Sequence, residues 1–220
     1  MKPETRDRLV ETARRLFHEH GYTATGIAQI LDAAEARSGS LYYFFPTKED
    51  LLLAVLEKYK ELLWPMVIQP VFDRVTDPIE RVFGILDGYR RQLVATKYRS
   101  GCPIGNLALE MTNSHPAARA LLAENFTNWC KAIELCLADA AGRLPSSLDR
   151  EQLARFVLTT MEGAVMLART HQSIEPYDAA VTQLRDYFDR LLQDGSDWSS
   201  PRRPQRRGRR RAAPRINAKS

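Results

Sequence analysis

Apolar residues recur at helical spacing along almost the whole chain, and no stretch reads as a strand or a hairpin. Leu9, Ala13, Leu16 and Phe17 fall on one face of a first helix over 5–20. Gly21 stops it, because glycine adopts the left-handed conformation at little cost. Short helices are expected over 25–33 and 37–44. Thr47-Lys-Glu-Asp50 has the form of a capping box and opens a long helix carrying Leu51, Leu52, Val55 and Leu56. Trp64-Pro65 ends or kinks that helix. Asp77-Pro78 starts another that runs to about Lys97. After the break at Ser100-Gly-Cys-Pro-Ile-Gly105, a short helix covers 106–112. Ser114-His-Pro116 caps a long one through Phe126, Trp129 and Leu135, which Gly142 and Pro145 close. Two more are expected over 149–171 and 176–193. The pattern predicts an all-α chain of about nine helices.

Charge divides the chain unequally. The net +5 hides a tail, 195–220, with nine Lys/Arg and one Asp, while the preceding 194 residues hold 23 basic and 26 acidic side chains, a net of −3. A high pI is therefore no argument that the folded body binds DNA. The Pro- and Arg-rich tail has almost nothing to bury after Trp198 and is expected to be disordered alone. Its Arg207-Gly208-Arg209 resembles the minor-groove core of an AT-hook without the proline that should follow. No apolar run reaches membrane-spanning length and the first residues lack a secretory pattern, so a cytoplasmic protein with no membrane partner is expected. Three cysteines without Cys-x-x-Cys pairing fit a reducing compartment and argue against a disulfide framework or a zinc site. His18 and His20, two apart on a helix, point in different directions.

Three short helices in under fifty residues, the last two joined by a brief turn, are the plan of a helix-turn-helix, whose second helix enters the DNA major groove. On that helix Leu41 and Phe45 are four apart and pack inward. Arg37, Ser38, Ser40 and Tyr43 are left on the outer side, with small Gly39 and Ser40 allowing close backbone approach. The helix starts near Thr25-Gly26 and Thr47-Lys48 offer amides, and Lys48 an ammonium, to phosphates.

Gly21-Tyr-Thr-Ala-Thr-Gly-Ile-Ala-Gln-Ile30 and Gly39-Ser-Leu-Tyr-Tyr-Phe-Phe-Pro-Thr-Lys-Glu-Asp-Leu51 resemble the DNA-binding signature of the TetR family, with its spacing kept over about 5–60. In that context Tyr42 and Tyr43 are expected to contact DNA, Tyr42 at phosphate. Two departures stand out. Ala34-Glu-Ala-Arg37 replaces the usual Ala-Gly-Val-Ser, so Glu35 would cost about 1 kcal/mol if the left-handed turn is kept. Phe44 stands where the family usually has a histidine. Arg37 remains a candidate guanine reader or backbone contact.

The resemblance implies residues 1–46 as the DNA-binding domain and 47–194 as a ligand-binding and dimerisation domain. Met161-Glu-Gly-Ala-Val-Met-Leu-Ala-Arg169 resembles the family's penultimate helix, with Gly163, Ala164 and Leu167 at the homodimer interface. Gly101-Cys-Pro-Ile-Gly-Asn-Leu-Ala-Leu-Glu-Met111 resembles a subgroup responding to small organic or electrophilic molecules. Trp64, Tyr89, Phe126, Trp129 and Met161 are candidate lining of an effector pocket, with Asn106 and Glu110 as polar anchors. Cys102, at a helix start where a thiol pKa falls, is a candidate sensor or a small buried apolar residue. Cys130 and Cys136 are expected in the core.

The reading is a dimeric regulator that binds a palindromic double-stranded operator and is released by a small organic effector, with no cofactor or metal. No Gly-x-Ser-x-Gly, phosphate-binding glycine loop or catalytic His/carboxylate pair is present, so no enzyme is expected. Two alternatives stay open: an architectural DNA binder acting through its tail, and a ligand-binding module that has lost operator recognition.

Overall fold

The computed structural model describes residues 5–111 and 115–193, and among these every regular element is helical. The expected helix end at Thr112, the Ser114 cap and the whole tail 195–220 lie outside the described residues. The chain order is α1 (Thr5–His20), α2 (Ile27–Ala33), α3 (Ser38–Phe44), α4 (Lys48–Leu62), a π-helical turn (Leu63–Ile68), α5 (Gln69–Phe72), α6 (Pro78–Ala95), α7 (Pro103–Met111), α8 (Pro116–Asp139), α9 (Arg150–His171) and α10 (Glu175–Gln193).

The first three helices close around one apolar point. Leu9, Ala13, Leu16 and Phe17 of α1 meet Ile30 of α2 and Leu41 and Phe45 at α3, all buried. Gly21 ends α1 at φ +84 as expected. The α2–α3 turn keeps the left-handed residue although it is Glu35, at φ +48. The amides of Glu35 and Ala36 return to Asp32 and Leu31 carbonyls at 3.1 and 2.9 Å, fixing the turn. At α4, Thr47 and Asp50 complete the capping box, amide to side chain in both directions, at 2.9 and 3.1 Å. That satisfies two amides no helical carbonyl can reach.

Pro65 does not stop the chain from turning helically. The missing N–H of Pro65 removes one i→i−4 bond, and the wider π turn absorbs the defect before α5 resumes. Two helices start at places the pattern missed: α2 begins at Ile27 rather than Thr25, and α7 at Pro103 rather than Asn106. Pro103 suits the first turn, where an amide hydrogen would go unused.

Two apolar cores result. One joins α1–α4 with Cys102, Ile104, Leu107 and Met111 around α7 and Ala118 and Leu122 of α8. The other joins α6, the rest of α8, α9 and α10, and holds Tyr177, whose hydroxyl donates to the Leu86 carbonyl at 2.7 Å. The first core thus runs across residue 46 without a break. Tyr89 on α6 packs against both.

Candidate DNA-reading face and effector cavity

The turn at Glu35 aims α3 outward. Leu41 and Phe45 are buried on its inner side, while Tyr43 is 81% and Tyr42 52% exposed. Arg37, Ser38 and Gly39 at its start are exposed and Ser40 half-buried. Arg37 is the residue preceding α3 and has no capping hydrogen bond from its side chain. Gly26, before α2, is exposed with open space where a Cβ would stand. These residues have access to solvent.

Thr25 has none. Its side chain is fully buried, and its hydroxyl donates to the carbonyls of Gly21 at 2.7 Å and Leu16 at 3.3 Å. Threonine is there to close the end of α1, not to meet phosphate. Lys48 is also engaged inside the protein: Nζ donates to the Tyr22 carbonyl at 2.6 Å and lies 4.1 Å from the Tyr22 ring centroid. One of its three N–H donors thus clamps the Tyr22 turn.

The same turn is gripped from α7. Glu110, near the end of α7, accepts the Tyr22 amide at Oε1 (3.1 Å) and the Thr23 amide at Oε2 (2.8 Å). A Cβ on Gly21 would stand 2.5 Å from Oε1, so a larger residue, besides straining the backbone at this φ, would displace the Glu110 carboxylate. Glu110 therefore anchors the DNA-binding unit and lines neither of the two hollows described next. Nearby, His18 of α1 pairs through Nε2 with the Gly101 carbonyl at 2.9 Å, and burial pulls its pKa below the ordinary value.

At the other end of α7 lies a cavity of about 470 Å³, walled by α1, α4, the π turn, α5, α6, α8 and α9. Tyr89, Cys102, Phe126 and Trp129 line it together with His18, Tyr59, Asn125, Leu158 and Glu162. Trp129 Nε1 donates to the Tyr89 hydroxyl at 3.1 Å. Asn106 instead faces a more open hollow of about 1160 Å³, where its Oδ1 accepts from Arg169 at 2.6 Å. Trp64 lies outside both hollows: it is 42% exposed and its Nε1 donates to Gln69. Met161 faces away as well, buried in the α9 core. The alternation of α9 explains this, since Leu158 and Glu162 occupy the cavity side and Met161 the opposite one.

Glu162 is the residue that sequence reasoning passed over. It lines both hollows. The two glycines of Gly101-Cys-Pro-Ile-Gly105 admit α9: a Cβ on Gly101 would meet Arg169 at 2.8 Å, and one on Gly105 would collide with the Glu162 carboxylate. Burial, then the neighbouring Glu162 carboxylate, push the Cys102 thiol well above the usual range. That is the reverse of the fall expected at a helix start, because desolvation here outweighs the helix terminus. Burial likewise raises Glu162.

The outer face of α9 and α10 exposes Phe156, Met166, Leu167 and Tyr187, with Phe156 and Tyr187 edge to face at 5.9 Å. Gly163 adds open space beside them. Ala164 is not on that face; it is buried in the protomer's own core. No described helix is long and apolar enough to cross a membrane.

Residues 9–55 match the model of bacterial regulatory proteins of the tetR family, and residues 78–183 the LmrA/YxaF-like C-terminal domain of transcriptional regulators. The chain belongs to the TetR family. An uncharacterized HTH-type regulator of Mycobacterium tuberculosis, Rv0196, is 30% identical over 188 residues, covering 82% of this chain and 92% of that protein. The HTH-type transcriptional repressor DhaR of a Mycobacterium species is 28% identical over 189 residues, covering 85% and 92%. A TetR regulator from Chloroflexus aurantiacus superposes with a TM-score of 0.75 at 30% identity, covering 86% of this chain and 96% of that one. The protein is thus a transcriptional regulator with a helix-turn-helix DNA-binding unit, and its all-helical fold is that of the family.

Proposed function

We propose that this regulator is a dimeric repressor that reads an inverted-repeat operator through α3 and releases it when a small organic molecule fills the cavity beside Tyr89 and Cys102. The observation that carries the reading is the span of α7. Its first residues wall the cavity at Pro103 and Ile104, and Glu110 near its end holds the turn that leads into α2. A ligand that moves one end of a single short helix acts on the other.

The exposed apolar strip of Phe156, Met166, Leu167 and Tyr187 supports pairing of two copies through α9 and α10. A twofold pair would hold the α3 helices about 34 Å apart, one turn of B-DNA. Coupling of about 1–3 kcal/mol between cavity and α3 would change operator affinity roughly 5–150-fold. Relatives named as repressors favour repression. The Gly-Cys-x-x-Gly-Asn-Leu stretch favours the subgroup that answers small organic or electrophilic molecules.

Binding of the full chain to its own upstream DNA, against scrambled DNA of equal length over a range of salt, tests this. Specific binding lost in Arg37→Ala and Tyr43→Ala is expected, and it should survive in a chain ending at Asp194. The nine basic residues of the tail favour one other reading, a non-specific architectural binder. Equal affinity for both DNAs, lost with the tail and steeply salt-dependent, would establish that reading instead.

A further inference from the structure

The 470 Å³ cavity is apolar on most sides, with Phe126, Trp129 and Leu158 among its walls, and it contains one carboxylate. Glu162 Oε1 is buried and has no hydrogen-bond partner, and the weakly donating Cys102 thiol is its neighbour in the wall. Buried acceptors are nearly always satisfied, and a charged one left unmet is costly. The Tyr89 hydroxyl, also in the cavity, accepts from Trp129, and its own hydrogen has no acceptor among the bonds described. The charge of Glu162 is felt at both Tyr89 and Cys102.

The cations around the cavity do not serve Glu162. Arg14 is paired with Glu11 at 2.8 Å, Arg91 with Asp87, and Arg74 donates to the Pro70 carbonyl at 2.7 Å. Arg14 and Arg91 are neutralised by these carboxylates; a cation entering the cavity would shed hydration that a single carboxylate in an apolar wall does not repay, and that carboxylate disfavours an anion.

We infer that the cavity takes an uncharged, largely aromatic or apolar molecule carrying a hydrogen-bond donor, and that the donor binds Glu162 Oε1. This rests on the reading of the cavity as the effector site and names the chemistry it selects. Gly105 has a part in it. A Cβ there would overlap Oε2, so any larger residue forces the carboxylate to shift.

The test uses a matched pair, 2-naphthol and its methyl ether 2-methoxynaphthalene, titrated calorimetrically into the full-length protein. The ether keeps shape and acceptor oxygen and lacks only the donor. In the unaltered protein, 2-naphthol should bind at least about tenfold more tightly, the usual gain from a hydrogen bond to a charged acceptor. Glu162→Leu should abolish that preference while the ether still binds, which also shows that the variant is folded. Glu162→Gln, which retains an acceptor oxygen, should keep part of it. Equal affinities in the unaltered protein, or a preference that persists in Glu162→Leu, would overturn the assignment of Glu162 and leave the cavity as a binding site. Tighter binding of (2-naphthylmethyl)ammonium than of 2-naphthol would overturn the uncharged class. Failure of both probes to bind any of the three proteins would overturn the cavity reading itself.

Discussion

Replacing Glu110 by alanine should loosen the DNA-binding unit from the rest of the molecule without disturbing α7. Alanine is the best helix former, so the helix itself loses nothing by the change. What is lost are two bonds from backbone amides to a carboxylate, Tyr22 at 3.1 Å and Thr23 at 2.8 Å. Hydrogen bonds to charged groups contribute about 1.5–3 kcal/mol each. The Thr23 bond is exposed and water replaces much of it, so the two together stand near 2 kcal/mol. For a chain of this size that lowers the melting temperature by roughly 4–8 °C. Locally it speeds exchange of the Tyr22 and Thr23 amide hydrogens by roughly 30-fold. Hydrogen exchange read residue by residue by NMR is the decisive assay, with Glu110→Gln, which keeps one acceptor oxygen, expected to fall between. If both amides exchange at the original rate in Glu110→Ala, the carboxylate is not holding the turn. The route from cavity to α3 through α7 then fails with it.

Glu35→Gly should raise stability by about 1 kcal/mol, seen as a higher urea midpoint at unchanged m, since the strain of a left-handed glutamate at φ +48 is removed; a lower midpoint would show that the turn carries no strain. His18 is held neutral by burial, so its folded pKa lies below the unfolded value of about 6.5. The unfolded chain then binds the extra proton, and stability should fall as pH drops through and below that value. His18→Gln, which still donates to the Gly101 carbonyl and does not titrate, should flatten the fall; an unchanged pH profile would assign it to other groups. On the acid side, Arg90 holds the Asp178 carboxyl below its usual range. That partly exposed pair helps above about pH 4 and its contribution is lost as pH falls further, so Asp178→Asn should lower the melting temperature slightly at pH 7 and not at pH 2.5.

The elements legible in the sequence are those whose signal is local. Helical spacing, Gly21, the Thr47–Asp50 box and Asp77-Pro78 each decide structure within a few residues, and the helices they mark are present. Even the cost assigned to Glu35 follows from one position and its neighbours. At Ile27 the preceding Gly26 has no side chain to cap the amides, and at Pro103 the cap is a cysteine sulfur, accepting from the Gly105 amide at 3.5 Å, so composition does not place these boundaries.

The misplaced site residues failed for a different reason. Thr25 and Glu110 look from the sequence like polar groups meant for a ligand, and both are spent on the protein's own backbone around residues 16–23. Such pairings join positions as far apart as 22 and 110, and no spacing rule connects them. Gly21 held half of the information: a helix stop needs a glycine there, but only the fold shows that Glu110 fills the space where a side chain would be. The same holds for Gly105 and Glu162. Where a glycine sits beside a break already explained by proline, a second, distant side chain is the thing to look for. Gly105→Ala separates the local role from the distant one: α7 should persist, since alanine favours helix, while the preference for a donor-bearing ligand is lost with the displaced Glu162 carboxylate. Loss of α7 itself, read as lost amide protection over 103–111, would return Gly105 to a purely local role.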